Sequence, residues 1–329
     1  MQTFNYVKAA SIEKALGAAN GAKFIAGGTT LVDLMKLNVE QPKALVDINL
    51  LPLDKVERLP NGGLRIGAMV RNSDLAWNAD VQKDYAVLSQ AILSGASPQL
   101  RNMATTGGNL LQRTRCVYFR EPDAGTPGGY GCNKRTPGSG CAALEGFHRT
   151  HAILGTSEQC IATHPSDMCV AMAALEATIL VEGPKGKRTI PFAEFHKLPG
   201  NTPHIENGLE PGELVTYVDL PKPPAGAKSV YLKLRDRASY EFALASAAVV
   251  AKVESGHIRY VRVAMGGVGT KPWRSHEAEA ALMGKAVDAA HFKTAAEAAL
   301  KEARPRTDNA FKVELAKRCL VRTLKLATA

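Results

Sequence analysis

The stretch KFIAGGTTLVDLMKLNVEQPKALVDI, residues 23–48, decides the fold. KFIA (Lys23–Ala26) reads as a short buried strand. It runs into Gly27-Gly28-Thr29-Thr30 and then into an apolar-periodic helix, LVDLMKLN. ALVDI (Ala44–Ile48) reads as a second strand. Strand, glycine turn, helix and strand in this order are the signature of an α/β unit. Two glycines at the end of a strand let the backbone approach an anion closely, and the following turn aims several N–H groups at one point. Alone this is a weak signal, because a Gly-Gly turn before a helix is most often only a turn, and it is neither GxGxxG nor a P-loop.

Working outward, LRIGAMV (Leu64–Val70) reads as a strand, and RNSDLA (Arg71–Ala76) as a helix entry capped by Asn72 or Ser73. A helix is expected over Tyr85–Ala96. The sequence ATTGGNL at 104–110 then repeats the chemistry of the first turn, with two Thr hydroxyls, two glycines and an Asn. Two such turns in one domain can grip a pyrophosphate from both sides; two unrelated turns are an equal alternative. Further on, SDMCVAMAALEA (Ser166–Ala177) reads as a helix, TILVEG-PKGKR-TIPFAEF as a hairpin, and ELVTYVDLP (Glu213–Pro221) as a strand. The Pro-rich run at 221–226 is the best domain boundary. Beyond it, strands precede helices, which is the α+β order. Lys233, Arg235 and Arg237 alternate on the expected strand SVYLKLRDR, so they should share one face that could meet phosphates, with a solvated strand face an equal alternative.

The chain has 329 residues, 45% of them hydrophobic and 22% charged, which is ordinary globular composition with length for two or three domains. Net charge is +10, yet the basic residues are dispersed and aromatics are 6%, so a nucleic-acid-binding protein ranks last. There is no run of eighteen apolar residues. The N-terminus has no basic-then-apolar signal pattern, which points to a cytoplasmic chain.

Residues 110–160 show little helix or strand period, and a loop this long is pinned or functional. It holds Cys116, Cys132, Cys141 and Cys160, spaced Cys-x15-Cys-x8-Cys-x18-Cys. An iron–sulfur cluster, a zinc ion or two disulfides could pin it. The absence of a CxxC knuckle fits zinc ribbons poorly, and the spacing is wider than that of ferredoxins. Arg113, Arg115, Lys134 and Arg135 could offset the charge of a thiolate-bound cluster, and Gly138, Gly140 and Gly155 permit tight bends. His148, His151 and His164 flank the cysteines as loop residues or substitutes for a thiolate. Cys169 and Cys319 read as core thiols, and HPSD (164–167) as a helix cap. A non-redox, zinc-stabilised binding protein stands as the reading from another class.

Taken in order, FxY…SIEKAL near the start, FIAGGTTL, RIGAMVRNSDLA, QLRNMATTGGNLLQ, HPSD, PGELV, KLRDRASYEFALAS and the final helix resemble the FAD-binding medium subunit of the xanthine dehydrogenase family of molybdenum hydroxylases. The resemblance implies a two-subdomain FAD-binding (PCMH-type) region over 1–225, with subdomains about 1–57 and 58–225. A C-terminal α+β domain like that of CO dehydrogenase flavoproteins would follow over 226–329. It implies FAD contacts at Ala26, Gly27, Gly28, Thr29, Thr30 and Leu31, at Thr105, Thr106, Gly108 and Asn109, at Ser166 and Asp167, and at Val215 and Lys233. Most members pass directly from the second turn to the Ser-Asp pair. The cysteine segment, about 110–165, resembles the insertion that holds a [4Fe-4S] cluster in 4-hydroxybenzoyl-CoA reductase and, more closely, in bacterial periplasmic aldehyde oxidoreductase. The implied ligands are Cys116, Cys132, Cys141 and Cys160.

Partners implied are a molybdenum-cofactor large subunit and a [2Fe-2S] small subunit in a heterotrimer. Substrate would be oxidised on the large subunit, with electrons leaving through the [2Fe-2S] clusters and FAD to an external acceptor. No catalytic residue for substrate is expected on this chain. Aldehyde oxidation is the expected net reaction, with a reductive CoA-ester chemistry as the alternative. Export of the folded complex on a partner's signal would place it in the periplasm.

Overall fold

A computed structural model describes residues 1–123 and 129–329. Three sheets organise the chain. The first has three parallel strands in the order Asn5–Lys8, Ala44–Asp47, Lys23–Ile25. Parallel neighbours need a crossover. The helices Ile12–Gly17 and Leu31–Lys36 supply it. Lys23–Ile25 is an edge strand, with Lys23 exposed and Phe24 and Ile25 half-buried. This corrects the expectation of a buried strand: having only one neighbour leaves it partly open.

The second sheet is antiparallel, ordered Val56–Arg58, Leu64–Gly67, Leu214–Leu220, Thr178–Gly183, Gly186–Pro191. Along Thr178–Gly183, buried and half-buried residues alternate strictly, the period-2 pattern of a sheet with one face on a core. Arg65 and Asp219 pair across neighbouring strands through two hydrogen bonds of 2.8 and 2.7 Å. Helices Asn72–Trp77, Ala86–Ser94 and Asp167–Ala174 cover this region. Neither Asn72 nor Ser73 caps the first of them. Arg71 is the N-cap without a side-chain bond, because the Ser73 hydroxyl donates to Asn102 instead.

The C-terminal sheet is antiparallel, ordered Trp273–Arg274, His257–Gly266, Ala245–Glu254, Lys228–Leu234. Residues 245–251 of its long strand are all buried. The reason lies in the two faces. Ala248 and Val250 join the core shared with the helices Ala86–Ser94 and Asp167–Ala174, whereas Ala247, Val249 and Ala251 join the core under the C-terminal helices. The sheet is thus a common wall between the two parts of the chain. Its first strand ends at Leu234, which corrects the expected alternation of Lys233, Arg235 and Arg237. Only Lys233 lies on the strand; Arg235 bonds the carbonyls of Ser94 and Ala238, and Arg237 turns back on the Tyr240 carbonyl. Among the described residues no helix is long and apolar enough to cross a membrane.

The final helix, Phe311–Thr328, opens with a fully buried Lys312. Its ammonium donates to the backbone carbonyls of Thr150, His151 and Gly267, so it ties the cysteine segment to the C-terminal domain. Asn309 adds bonds to the carbonyls of His151 and Ala152. Burial, with Arg149 second, pushes the Lys312 ammonium down from 10.5 to about 7. Unfolding restores the ordinary value, so between about pH 7 and 10.5 the unfolded chain holds one more proton than the folded one. Folding stability therefore gains from this residue as pH rises through that window. The denaturation midpoint of the wild type, compared with Lys312→Met, should move in favour of the wild type between pH 7 and 9.5. A flat or falling difference contradicts the buried-amine reading.

Candidate flavin cavity and cysteine cluster

The two glycine turns meet. A Cβ on Gly27 would stand 1.8 Å from the Met103 carbonyl oxygen, so the first turn lies directly against the backbone that leads into the second. The second turn is seated closely too, though less so, since a Cβ on Gly107 would stand 3.0 Å from the Ala68 Cβ. Thr105 caps the short helix Thr106–Leu110 by accepting from the Gly108 N–H, whereas Thr30 at the start of Leu31–Lys36 makes no side-chain cap.

Between the turns opens a cavity of about 1140 Å³. That is above the range of ordinary ligand pockets, roughly 300–1,000 Å³, and suits a dinucleotide better than a small metabolite. Of the residues singled out from the sequence, Ala26, Gly27, Gly28, Thr29, Thr30, Leu31, Thr105, Gly108, Asn109, Asp167, Val215 and Lys233 all line it. Thr106 and Ser166 stand behind the wall. The Thr106 hydroxyl donates to the Val70 carbonyl. Ser166 accepts from the Cys169 N–H, as the expected helix cap, and its hydroxyl donates to Asn109 Oδ1 at 2.6 Å. Ser166 thereby fixes the Asn109 amide at the cavity rim.

Asp167 is held from the C-terminal sheet. Lys233 Nζ lies 2.8 Å from Asp167 Oδ2, with both side chains at least nine-tenths buried, and the Tyr231 hydroxyl donates to Oδ1 at 2.5 Å. Burial first, and the adjacent Asp167 charge second, push the Tyr231 phenol well above its ordinary value, so it remains a donor. A buried ion pair of this kind is weak as a source of stability but strict in geometry, because losing either partner strands the other's charge. It places one carboxylate and one ammonium at the cavity wall.

Sequence reading missed the cationic lining supplied by Arg101, Arg113, Arg115 and Arg120. The last three come from the start of the cysteine segment. Arg113 pairs with Glu40 and Glu206, and Lys134 also reaches Glu206 at 2.8 Å. Arg115 faces Asp33, and Arg135 bonds the carbonyls of Tyr118, Phe119 and Tyr130. Of the four cations expected to offset a cluster, Lys134 favours the Cys160 thiolate, whereas Arg113 is engaged by Glu40 and Glu206, Arg115 by Asp33 and Arg135 by backbone carbonyls. Proximity in sequence was the only signal for the others, and it does not specify which wall a side chain faces.

The four segment cysteines converge. Cys116, Cys132, Cys141 and Cys160 line one small cavity together with Lys134 and Gln159. Cys132 and Cys141 face each other across an isolated antiparallel bridge, and Gly138, Gly140 and Gly155 all take left-handed backbone. All six cysteines of the chain are free thiols, so the two-disulfide alternative is not realised. Cys169 and Cys319 are buried in the apolar cores, as expected. Burial pushes the Cys116 thiol up to about 12 and the Cys160 thiol up to about 11, with neighbouring cysteines adding to it. Near neutral pH these thiols stay protonated, and binding a metal would require them to lose those protons.

His151 Nε2 lies 3.1 Å from Cys116 Sγ, and its backbone carbonyl accepts from Lys312. Burial holds the His151 ring neutral by pushing it down to about 4. His148 is taken by the Gly146 carbonyl and Asp308. His164 packs edge-on against His196, with ring centroids 4.5 Å apart, and His196 Nε2 reaches the Leu110 carbonyl at the end of the second turn.

Comparison with known proteins agrees with this architecture. Residues 2–223 match the FAD binding domain in molybdopterin dehydrogenase, and residues 230–327 match the CO dehydrogenase flavoprotein C-terminal domain. The chain belongs to the FAD-binding subunits of the molybdopterin dehydrogenases, the molybdenum hydroxylase family, and is an oxidoreductase subunit. It is 54% identical to the aldehyde oxidoreductase FAD-binding subunit PaoB of Escherichia coli K12, over 100% of this chain and 99% of that one. It is 28% identical to the glyceraldehyde dehydrogenase medium chain of Sulfolobus acidocaldarius, over 93% and 90%. Among solved structures, carbon monoxide dehydrogenase from Hydrogenophaga pseudoflava superposes with a TM-score of 0.77 at 27% identity, covering 99% of this chain and 97% of that one.

The Gly27 contact gives a direct test. Gly27→Ala must push the two turns apart, because the carbonyl it meets is backbone and cannot rotate away. The variant should retain its fold by circular dichroism and lose most of its bound flavin on gel filtration, read from visible absorbance. Full flavin retention contradicts the assignment of the cavity.

Proposed function

We propose that the chain is the FAD-carrying medium subunit of a molybdenum-dependent aldehyde oxidoreductase. The observation that carries this is the 54% identity, across the whole chain, to an aldehyde oxidoreductase FAD-binding subunit. Ala26–Leu31 and Thr105–Asn109 would hold the diphosphate from two sides, and Asp167, Val215 and Lys233 would lie along the remaining wall. The flavin, when bound, supplies electron exchange between the partner subunits and an external acceptor. The protein's own contribution is to bind and orient it and to set the electrostatics around it. Large molybdenum-cofactor and small [2Fe-2S] subunits complete the complex on this reading, which agrees with the medium-chain relatives.

Cys116, Cys132, Cys141 and Cys160 are proposed to hold a [4Fe-4S] cluster. Their convergence on one cavity supports it. Their spread argues against a single zinc ion: zinc–sulfur bonds of about 2.3 Å draw four sulfurs into close mutual contact. Among the described residues the trio of potential metal ligands gathered within 4.8 Å is His164, Cys169 and His196, and none of these four cysteines belongs to it. A cubane places its thiolates at separate corners and tolerates the wider arrangement.

Two outcomes are expected. The assembled complex turns over aromatic aldehydes with an artificial acceptor; inactivity with every aldehyde tried would sink the substrate assignment. Cys132→Ser loses most of the iron of the cysteine segment while flavin remains, because Cys132 lies outside the flavin cavity. Zinc in place of iron in the wild-type chain contradicts the cluster.

A further inference from the structure

One wall of the flavin cavity carries an excess of positive charge. Arg113 is matched by Glu40 and Glu206, Lys233 by Asp167 and Arg237 by Glu241, while Arg101 rests on the Gly95 carbonyl. Arg115 and Arg120 instead share a single carboxylate oxygen. Arg115 Nη1 lies 3.3 Å and Arg120 Nη2 2.6 Å from Asp33 Oδ2. Each also has a nitrogen without a hydrogen-bond partner among the described residues, Nε of Arg115 and Nη1 of Arg120, but these atoms are buried in protein and do not open to the cavity. Both residues line the cavity.

Two guanidiniums on one carboxylate oxygen leave one positive charge unmatched at the cavity wall. Arg115 is steadied by lying 5.0 Å from the Phe242 ring centroid, and Asp33 follows Gly28–Thr30 by only a few residues. The pair is therefore anchored beside the first glycine turn. A phosphate offers what is absent there: negative charge and several acceptor oxygens for the planar fork of arginine.

We propose that Arg115 and Arg120 form a phosphate subsite of the flavin cavity, through which the cysteine segment grips the diphosphate of FAD. This rests on the reading that FAD occupies the cavity. The segment then has two roles, gathering the four cysteines on one side and contributing two guanidiniums to the flavin site on the other.

The test uses the full chain in its complex, with flavin removed and then titrated back as FAD or as riboflavin, which has no phosphate. Arg115→Met/Arg120→Met should weaken FAD binding by about tenfold or more, the size of a lost charge-assisted contact. Riboflavin binding and iron content should stay unchanged. Asp33→Asn, which removes the competing carboxylate, should tighten FAD and leave riboflavin alone. The FAD effect of the double variant should shrink at high salt. Unchanged FAD affinity in the double variant overturns the proposal, as does an equal loss for FAD and riboflavin, which marks a merely structural role. Unchanged FAD affinity with a raised KM for an anionic external acceptor assigns the pair to a soluble anion and also overturns it. Gly27→Ala separates the two levels: if it abolishes FAD binding while the arginine variants do not, the cavity stands and only the subsite fails.

Discussion

The close approach of the two glycine turns is the constraint on which the rest of the structure depends. Gly27 follows the edge strand Lys23–Ile25 of the small parallel sheet, and the Met103 carbonyl it touches ends the helix Pro98–Met103. A methyl group at Gly27 would have no space, and neither would one at Gly67 against the Leu53 carbonyl, so bare backbone brings the two sheets' surroundings together at these points. The cavity opens on either side of the Gly27 contact, and backbone from both subdomains faces it. The C-terminal sheet closes the remaining side. Its strand Lys228–Leu234 delivers Lys233 and Tyr231 to Asp167, a pairing that holds only if the sheet is packed rigidly against the helix Asp167–Ala174. The alternation of Ala247 to Ala251 between two cores provides that rigidity.

The cysteine segment is held on several sides. Ile153 and Leu154 donate to the Val268 carbonyl, and Arg304 donates to the Ile153 carbonyl. Lys312 and Asn309 add the buried contacts at His151. An irregular segment has few ladder bonds of its own, so its polar backbone must find partners elsewhere or face water. Here the C-terminal domain supplies them. The position of His151 against Cys116 is consequently set by a helix that begins some 160 residues later in the chain. Any metal centre held by the four cysteines would take its geometry partly from that domain.

The α/β order of residues 23–48, the glycine turns, the α+β tail and the convergence of four cysteines were all legible in the sequence. Each is encoded by local pattern: strand and helix period, turn residues, thiol count. What was not legible depended on which neighbour a side chain finds. Arg113 and Arg115 adjoin Cys116 in the chain and suggested cluster contacts, yet they turn to Glu40, Glu206 and Asp33. Arg235 and Arg237 read as strand residues, but the strand gives way to turns after Leu234, where Arg237 folds onto the Tyr240 carbonyl and Arg235 bridges the Ala238 carbonyl and the distant Ser94 carbonyl. The buried Lys312 sits in an otherwise ordinary amphipathic helix, and no spacing rule marks it. Thr106 and Ser166 illustrate the same limit on a smaller scale: their type suited a ligand, and the fold uses them as supports for Val70 and Asn109.

The central claim, that flavin lies between the two turns, is most directly tested by amide hydrogen exchange on the complex with and without FAD. The account predicts that FAD slows exchange in residues 26–31 and 104–110 and at the start of the helix Asp167–Ala174, while the C-terminal helices are unaffected. Protection confined to other surfaces, with both turns exchanging at the same rate in the two states, would contradict it.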